Sequence, residues 1–178
     1  MRRMAWGMVA GVVWLAAPAH AQTVSVARGE SLVVALDEKR DDGTALVVRR
    51  DDARLNEFEK AVADEFEAGK HATAIGKNYD IMREEDYPPA PAPAPHVLRI
   101  TFAPVGAKGS FLVIENGYDR ALVYHATMHA GDKSAPTDVC LVKPGRRGFE
   151  HWPYRIDRID LSRITLEHWS DGDPVPCA

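Results

Sequence analysis

Residues 110–128, SFLVIENGYDRALVYHATM, decide the fold. Ser110 to Glu115 reads as a β-strand, and Tyr118 to Met128 reads as its partner. Between them Asn116-Gly117 is a strong hairpin signal, because a type I′ turn needs positive φ at both central residues. Similar short stretches flank this pair. Val97 to Phe102 alternates, and Thr137 to Val142, Gly148 to Trp152, Ile156 to Leu161 and Arg163 to His168 are further strand candidates. Turn signals separate them at Gly131-Asp132, Pro144-Gly145 and Trp152-Pro153. Short strands at this spacing, without a helical period, predict an antiparallel β-sandwich over 97–178. It is immunoglobulin-like in the broad architectural sense, without the Cys–Trp–Cys spacing of an antibody domain.

The chain is predicted to be mainly β, with a small α+β segment over 22–87 ahead of the sandwich. Leu32 to Leu36 and Ala45 to Val48 are strand-like and flank the turn signal Asp41-Asp42-Gly43, so they suggest a hairpin. Asp51-Asp52 is expected to cap a helix running to Ala68. Its apolar stripe is Leu55, Phe58, Ala61, Val62 and Phe66, and Gly69 ends it. Thr73 to Ile75 is a further short strand candidate, and Arg83 to Asp86 is a charged exit. Residues 88–96 are a low-complexity proline and alanine run. Proline lacks the amide donor and fixes φ, so this run joins neither sheet nor helix. It is expected to be extended polyproline II, about 25 Å long. A docking site for a proline-recognition domain is one reading; a semi-rigid spacer is preferred.

Residues 1–21 have the form of a cleavable export signal. Arg2 and Arg3 form a positive start, Met4 to Ala17 an uncharged apolar run, and Ala19-His20-Ala21 a small-x-small cleavage site. An uncleaved anchor needs a run of roughly 20 apolar residues. A twin-arginine route ranks behind the general one, because no Phe-Leu-Lys-like continuation follows the arginines. The chain is therefore expected to be periplasmic or secreted, with no stable membrane span after cleavage near Ala21. Removing 21 of 178 residues leaves 157, and Lys+Arg falls from 22 to 20 against 26 Asp+Glu, for a net charge near −6 with His neutral. That balance argues against a nucleic-acid partner. In an exported chain, Cys140 and Cys177 read as one disulfide.

Two clusters carry candidate chemistry. His125, Met128 and His129 would suit copper or zinc. However, strand residues four apart are separated by about 13 Å, too far to share an ion unless the strand ends or curls there. Glu150, His151, Trp152 and Tyr154 combine a carboxylate, an imidazole and aromatic rings, and would form a ligand platform. Burial of Trp152 as sandwich filler is the competing reading. Glu167 to Asp171 contains Ser, His and Asp, but sequence adjacency does not make a triad. There is no Gly-x-Ser-x-Gly elbow, phosphate loop, His-Glu-x-x-His or Cys-x-x-Cys. The expected function is non-enzymatic binding of an unknown protein or small-molecule ligand, with no cofactor. Copper or zinc binding is the alternative, and a hydrolase assembled from distant loops is a third possibility.

Overall fold

The computed structural model describes residues 23–37, 44–69 and 87–177. The expected signal, the 41–43 turn and the 73–75 strand lie outside them. The strands are β1 (Val24–Ala27), β2 (Glu30–Leu36), β3 (Ala45–Asp52), β4 (Leu98–Val105), β5 (Gly109–Asn116), β6 (Ala121–Ala130), β7 (Lys133–Thr137), β8 (Arg147–Trp152) and β9 (Arg158–Glu167). Among the described residues one helix, α1 (Glu57–Glu67), sits between β3 and β4. The strands form a four-stranded sheet, β1-β9-β6-β7, and a five-stranded sheet, β3-β2-β4-β5-β8. Neighbouring strands are antiparallel throughout, so the β-sandwich with a small helix is the fold.

Both cores follow from side-chain alternation. Between the sheets, Leu32, Ile100, Phe102, Leu112 and Ile114 of the larger sheet meet Val26, Tyr124, Ile159 and Leu161 of the smaller. On the opposite side of the larger sheet, Phe111, Val113 and Phe149 meet Phe58, Val62 and Ala63 of α1. Every residue of β5 is buried. That explains its continuous apolar run, since a strand covered on both faces has no need to alternate polar with apolar.

The proline run divides the chain in sequence but not in the sheets. β1 pairs with β9 and β2 pairs with β4, so residues on either side of 88–96 build the same two sheets. The run itself is held against the protein. Ala90 packs on the helix-side core, and Arg147 Nη2 donates to the Pro91 carbonyl.

Asn116-Gly117 is not a hairpin turn. β5 pairs with β4 and β8, whereas β6 pairs with β7 and β9, so this turn crosses from one sheet to the other. Neither residue has positive φ. Asn116 instead folds the chain with its side chain. Oδ1 accepts from the Tyr118 amide at 3.0 Å, and Nδ2 donates to the carbonyls of Arg120, Val142 and Lys143 at 2.8, 3.2 and 3.2 Å. Gly117 is needed for a different reason: a Cβ there would lie 1.8 Å from the Ala94 carbonyl oxygen of the crossing proline run.

Three smaller corrections share a cause, which is local geometry overriding pattern. Asp51 and Asp52 end β3, and the helix starts at Asn56, whose Oδ1 accepts from the Glu59 amide while Glu59 Oε2 accepts from the Asn56 amide, each at 2.9 Å. This reciprocal capping box satisfies two helix-start donors. The strand after Gly131 is Lys133–Thr137 rather than Thr137 to Val142. Ile156 to Leu161 and Arg163 to His168 merge into β9, with Arg163 at φ 50° where the pairing to β6 shifts register. Gly69 does follow the helix, at φ +71°. Cys140 and Cys177 form the disulfide, closing a sequence separation of 37 residues.

Candidate functional site

The helix-side face of the larger sheet carries one register row that is charged on four of its five strands, with Val33 of β2 as the apolar member. Antiparallel register places Arg49 opposite Val33, Val33 opposite Arg99, Arg99 opposite Glu115, and Glu115 opposite Arg147. Directly opposite residues point to the same face, so these side chains lie in line. Helix α1 covers one end of the row. The other end is open, and there Glu30, Ser31, Arg49, Arg50, Asp51, Asp52, Arg54 and Arg99 line a groove of about 730 Å³.

At the covered end, two carboxylates and two guanidinium groups interlock. Arg99 Nε donates to Glu115 Oε2 at 2.6 Å, Arg99 Nη1 to Thr101 Oγ1 at 2.8 Å, and Arg99 Nη2 to Glu59 Oε1. Arg147 Nε donates to Glu115 Oε1 at 2.8 Å. The Arg147 guanidinium also lies 5.7 Å from the centre of the Phe58 ring. The Glu59 side chain is 0 % exposed. Burial pushes the Glu59 carboxyl above its ordinary value, a rise that Arg99 only partly offsets. Burial also opposes ionisation of Glu115, but the Arg99 and Arg147 guanidinium groups outweigh it and hold that carboxyl below its ordinary value. The environment splits two chemically similar carboxyls, because one is gripped by two guanidinium groups and the other mainly by one.

At the open end the contacts are looser. Arg49 pairs with Asp51 at 2.6 Å on this face, whereas Arg50, opposite the inter-sheet residue Leu32, turns to the other face of the strand and pairs with Glu30 at 3.1 Å, all on half-exposed side chains. Arg54 is exposed at the rim. Leu46 is 65 % exposed. It lies on the same face as Arg49, since their partners Ala35 and Val33 share one face of β2. The open end therefore presents the Arg49 guanidinium, held in an exposed ion pair, beside an apolar side chain.

The residues singled out in the sequence do not converge. His125 is exposed on β6, and His129 bonds Asp160 through Nε2 at 2.8 Å. Met128 packs instead against the inter-sheet core, because alternation turns it to the opposite face from its histidine neighbours. Among the described residues, no group of three or more His, Cys, Asp or Glu could hold a metal ion. The 150–154 cluster is split by the same alternation. Trp152 is buried between the sheets and donates to Thr137 Oγ1 at 3.2 Å. His151 packs on Phe66 at a tilt on the helix side and bonds Glu67 Oε1 at 2.7 Å. Glu150 Oε1 accepts from the Cys140 amide at 3.3 Å, and Tyr154 is 49 % exposed. No shared platform results.

Glu59, Arg99, Glu115 and Arg147 were missed by the sequence reading. A signal was present: each of β4, β5 and β8 carries one charge on the helix-side alternation, at Arg99, Glu115 and Arg147. The missing piece was the register that aligns them. No family model, curated protein or solved structure matches this chain.

Proposed function

We propose that this chain is an exported, non-enzymatic binding protein whose ligand is an anion carrying an apolar body, taken up in the groove beside β3. The observation that carries this is the clustering of arginines. In a chain of net charge −4, four arginines, Arg49, Arg50, Arg54 and Arg99, line one groove against three carboxylates, Glu30, Asp51 and Asp52. A guanidinium fork matches carboxylate and phosphate oxygens two at a time. The Arg49–Asp51 and Arg50–Glu30 pairs are solvent-facing, and such pairs contribute only about 0–1 kcal/mol. A ligand carboxylate would exchange with them at little cost. Arg99, anchored by Glu115 and Glu59, fixes one guanidinium in place at the groove floor. Leu46 supplies an apolar contact on the same face.

Export rests on the arginine-led apolar segment ending at Ala21 and agrees with the Cys140–Cys177 disulfide, since disulfides persist in oxidising compartments. Among the described residues, no helix is long and apolar enough to cross a membrane. The binding test is thermal unfolding of the mature protein with added octanoate and, separately, inorganic phosphate. A ligand that binds the folded state raises Tm with concentration. The rise should be largest with octanoate and should vanish in Arg49→Ala/Arg54→Ala. No rise with either compound, or an unchanged rise in the double variant, rejects the groove. The export test is the mature N-terminus, expected at Gln22.

A further inference from the structure

We infer that the proline run is a docking strap, a preformed polyproline II segment shown to a partner domain with an aromatic-lined, proline-reading groove. The starting observation is its burial pattern. Across residues 87–95, Tyr87, Ala90 and Pro93 are half-buried and every other residue is exposed. That period of three is the repeat of the polyproline II helix, which has three residues per turn. One column of side chains therefore faces the protein. The remaining two columns, Pro88, Pro91 and Ala94 beside Pro89, Ala92 and Pro95, face outward. Proline-reading domains dock such preformed polyproline II segments in aromatic-lined grooves.

The strap is fastened at each end and in the middle. Tyr87 packs edge-on against Phe58 at 5.4 Å and donates its hydroxyl to Glu65 at 2.5 Å. Arg147 holds the Pro91 carbonyl. The His96 amide donates to the Gly117 carbonyl at 2.9 Å, and the Gly117 amide donates to the Val97 carbonyl at 3.0 Å. Holding the strap in its binding shape removes the ordering cost that a free proline-rich peptide must meet on association. A spacer has no use for these fastenings, since the segments that it joins are already paired in both sheets.

The experiment compares the folded protein with a synthetic peptide of residues 87–97. Each is titrated into an isolated SH3 domain and an isolated WW domain. The folded protein should bind at least one domain about tenfold more tightly than the peptide, by preorganisation. Pro88→Ala/Pro91→Ala should abolish that binding while leaving the thermal unfolding midpoint in place, since both side chains are exposed. Equal or tighter binding by the peptide overturns the inference, because the fastenings would then hide the strap rather than display it. It is equally overturned if neither domain binds the folded protein, or if the double variant binds unchanged.

Discussion

On one face of the five-stranded sheet, Leu32, Ile100, Phe102, Leu112 and Ile114 meet a second sheet, and the buried contacts are almost wholly apolar. On the other, the same strands place Arg99, Glu115 and Arg147 in a row beneath a helix that adds Glu59. The difference is instructive about how specificity arises. An apolar face tolerates exchange among residues of similar volume. A buried ionic row tolerates little, because each charge removed leaves its partner uncompensated. The apolar face makes the sandwich, and the ionic row sets where α1 sits on it.

The sharpest way to break this contrast is Glu115→Gln. It leaves Arg99 and Arg147 short of a counter-charge in a largely buried site, at a cost of about 3–5 kcal/mol, read from the denaturant midpoint. The same variant carries a pH signature. A carboxyl held below its ordinary value contributes stability that is present above that ordinary value and lost as pH falls through the folded-state one. The loss between roughly pH 4.5 and more acid conditions should therefore flatten in Glu115→Gln. Glu59→Gln should do the opposite. Its raised carboxyl favours the protonated form, so its unfavourable contribution grows as pH rises above 4.5 toward the folded-state value, and the variant removes that growth.

Gly117→Ala ranks next, because its new methyl meets the Ala94 carbonyl oxygen. Overpacking of this kind costs about 1–3 kcal/mol, and it should loosen the proline strap first, seen as faster amide exchange at His96. Asn56→Ala removes one side of the capping box and should cost about 1 kcal/mol. Its effect should stay on the helix side, with amide exchange in α1 accelerated and β6 and β9 unchanged. Smallest is Asp51→Asn, which breaks an exposed pair and should move stability by about 0–1 kcal/mol. If the groove binds anions, this variant should bind octanoate more tightly, because it frees Arg49.

The legible and illegible parts of the sequence divide along the same line. Strand-length apolar runs such as Leu32 to Leu36 and Ser110 to Glu115 announced strands, because burial of a strand depends on its own composition. Cys140 and Cys177 announced a bridge, because no third cysteine competes. The cross-sheet turn at Asn116-Gly117 was not legible. The same two residues serve a type I′ hairpin or a side-chain-directed crossover, and the choice depends on the Val142 and Lys143 carbonyls that Asn116 reaches across space. The ionic row was hidden for a related reason. Arg99, Glu115 and Arg147 are far apart in the chain, and only the pairing of β4, β5 and β8 lines them up. The 125–129 segment shows the reverse: residues close in sequence, Met128 and His129, lie on opposite faces of β6.

Arg99 belongs to both halves of the row, since it lines the groove and grips Glu59 on the helix. A guest that draws its charge toward the groove weakens its hold on a carboxylate that has no water to fall back on. If the groove binds an anion as proposed, its occupancy and the seating of the helix are two readouts of a single guanidinium. By reciprocity, whatever loosens one must retune the other by the same free energy.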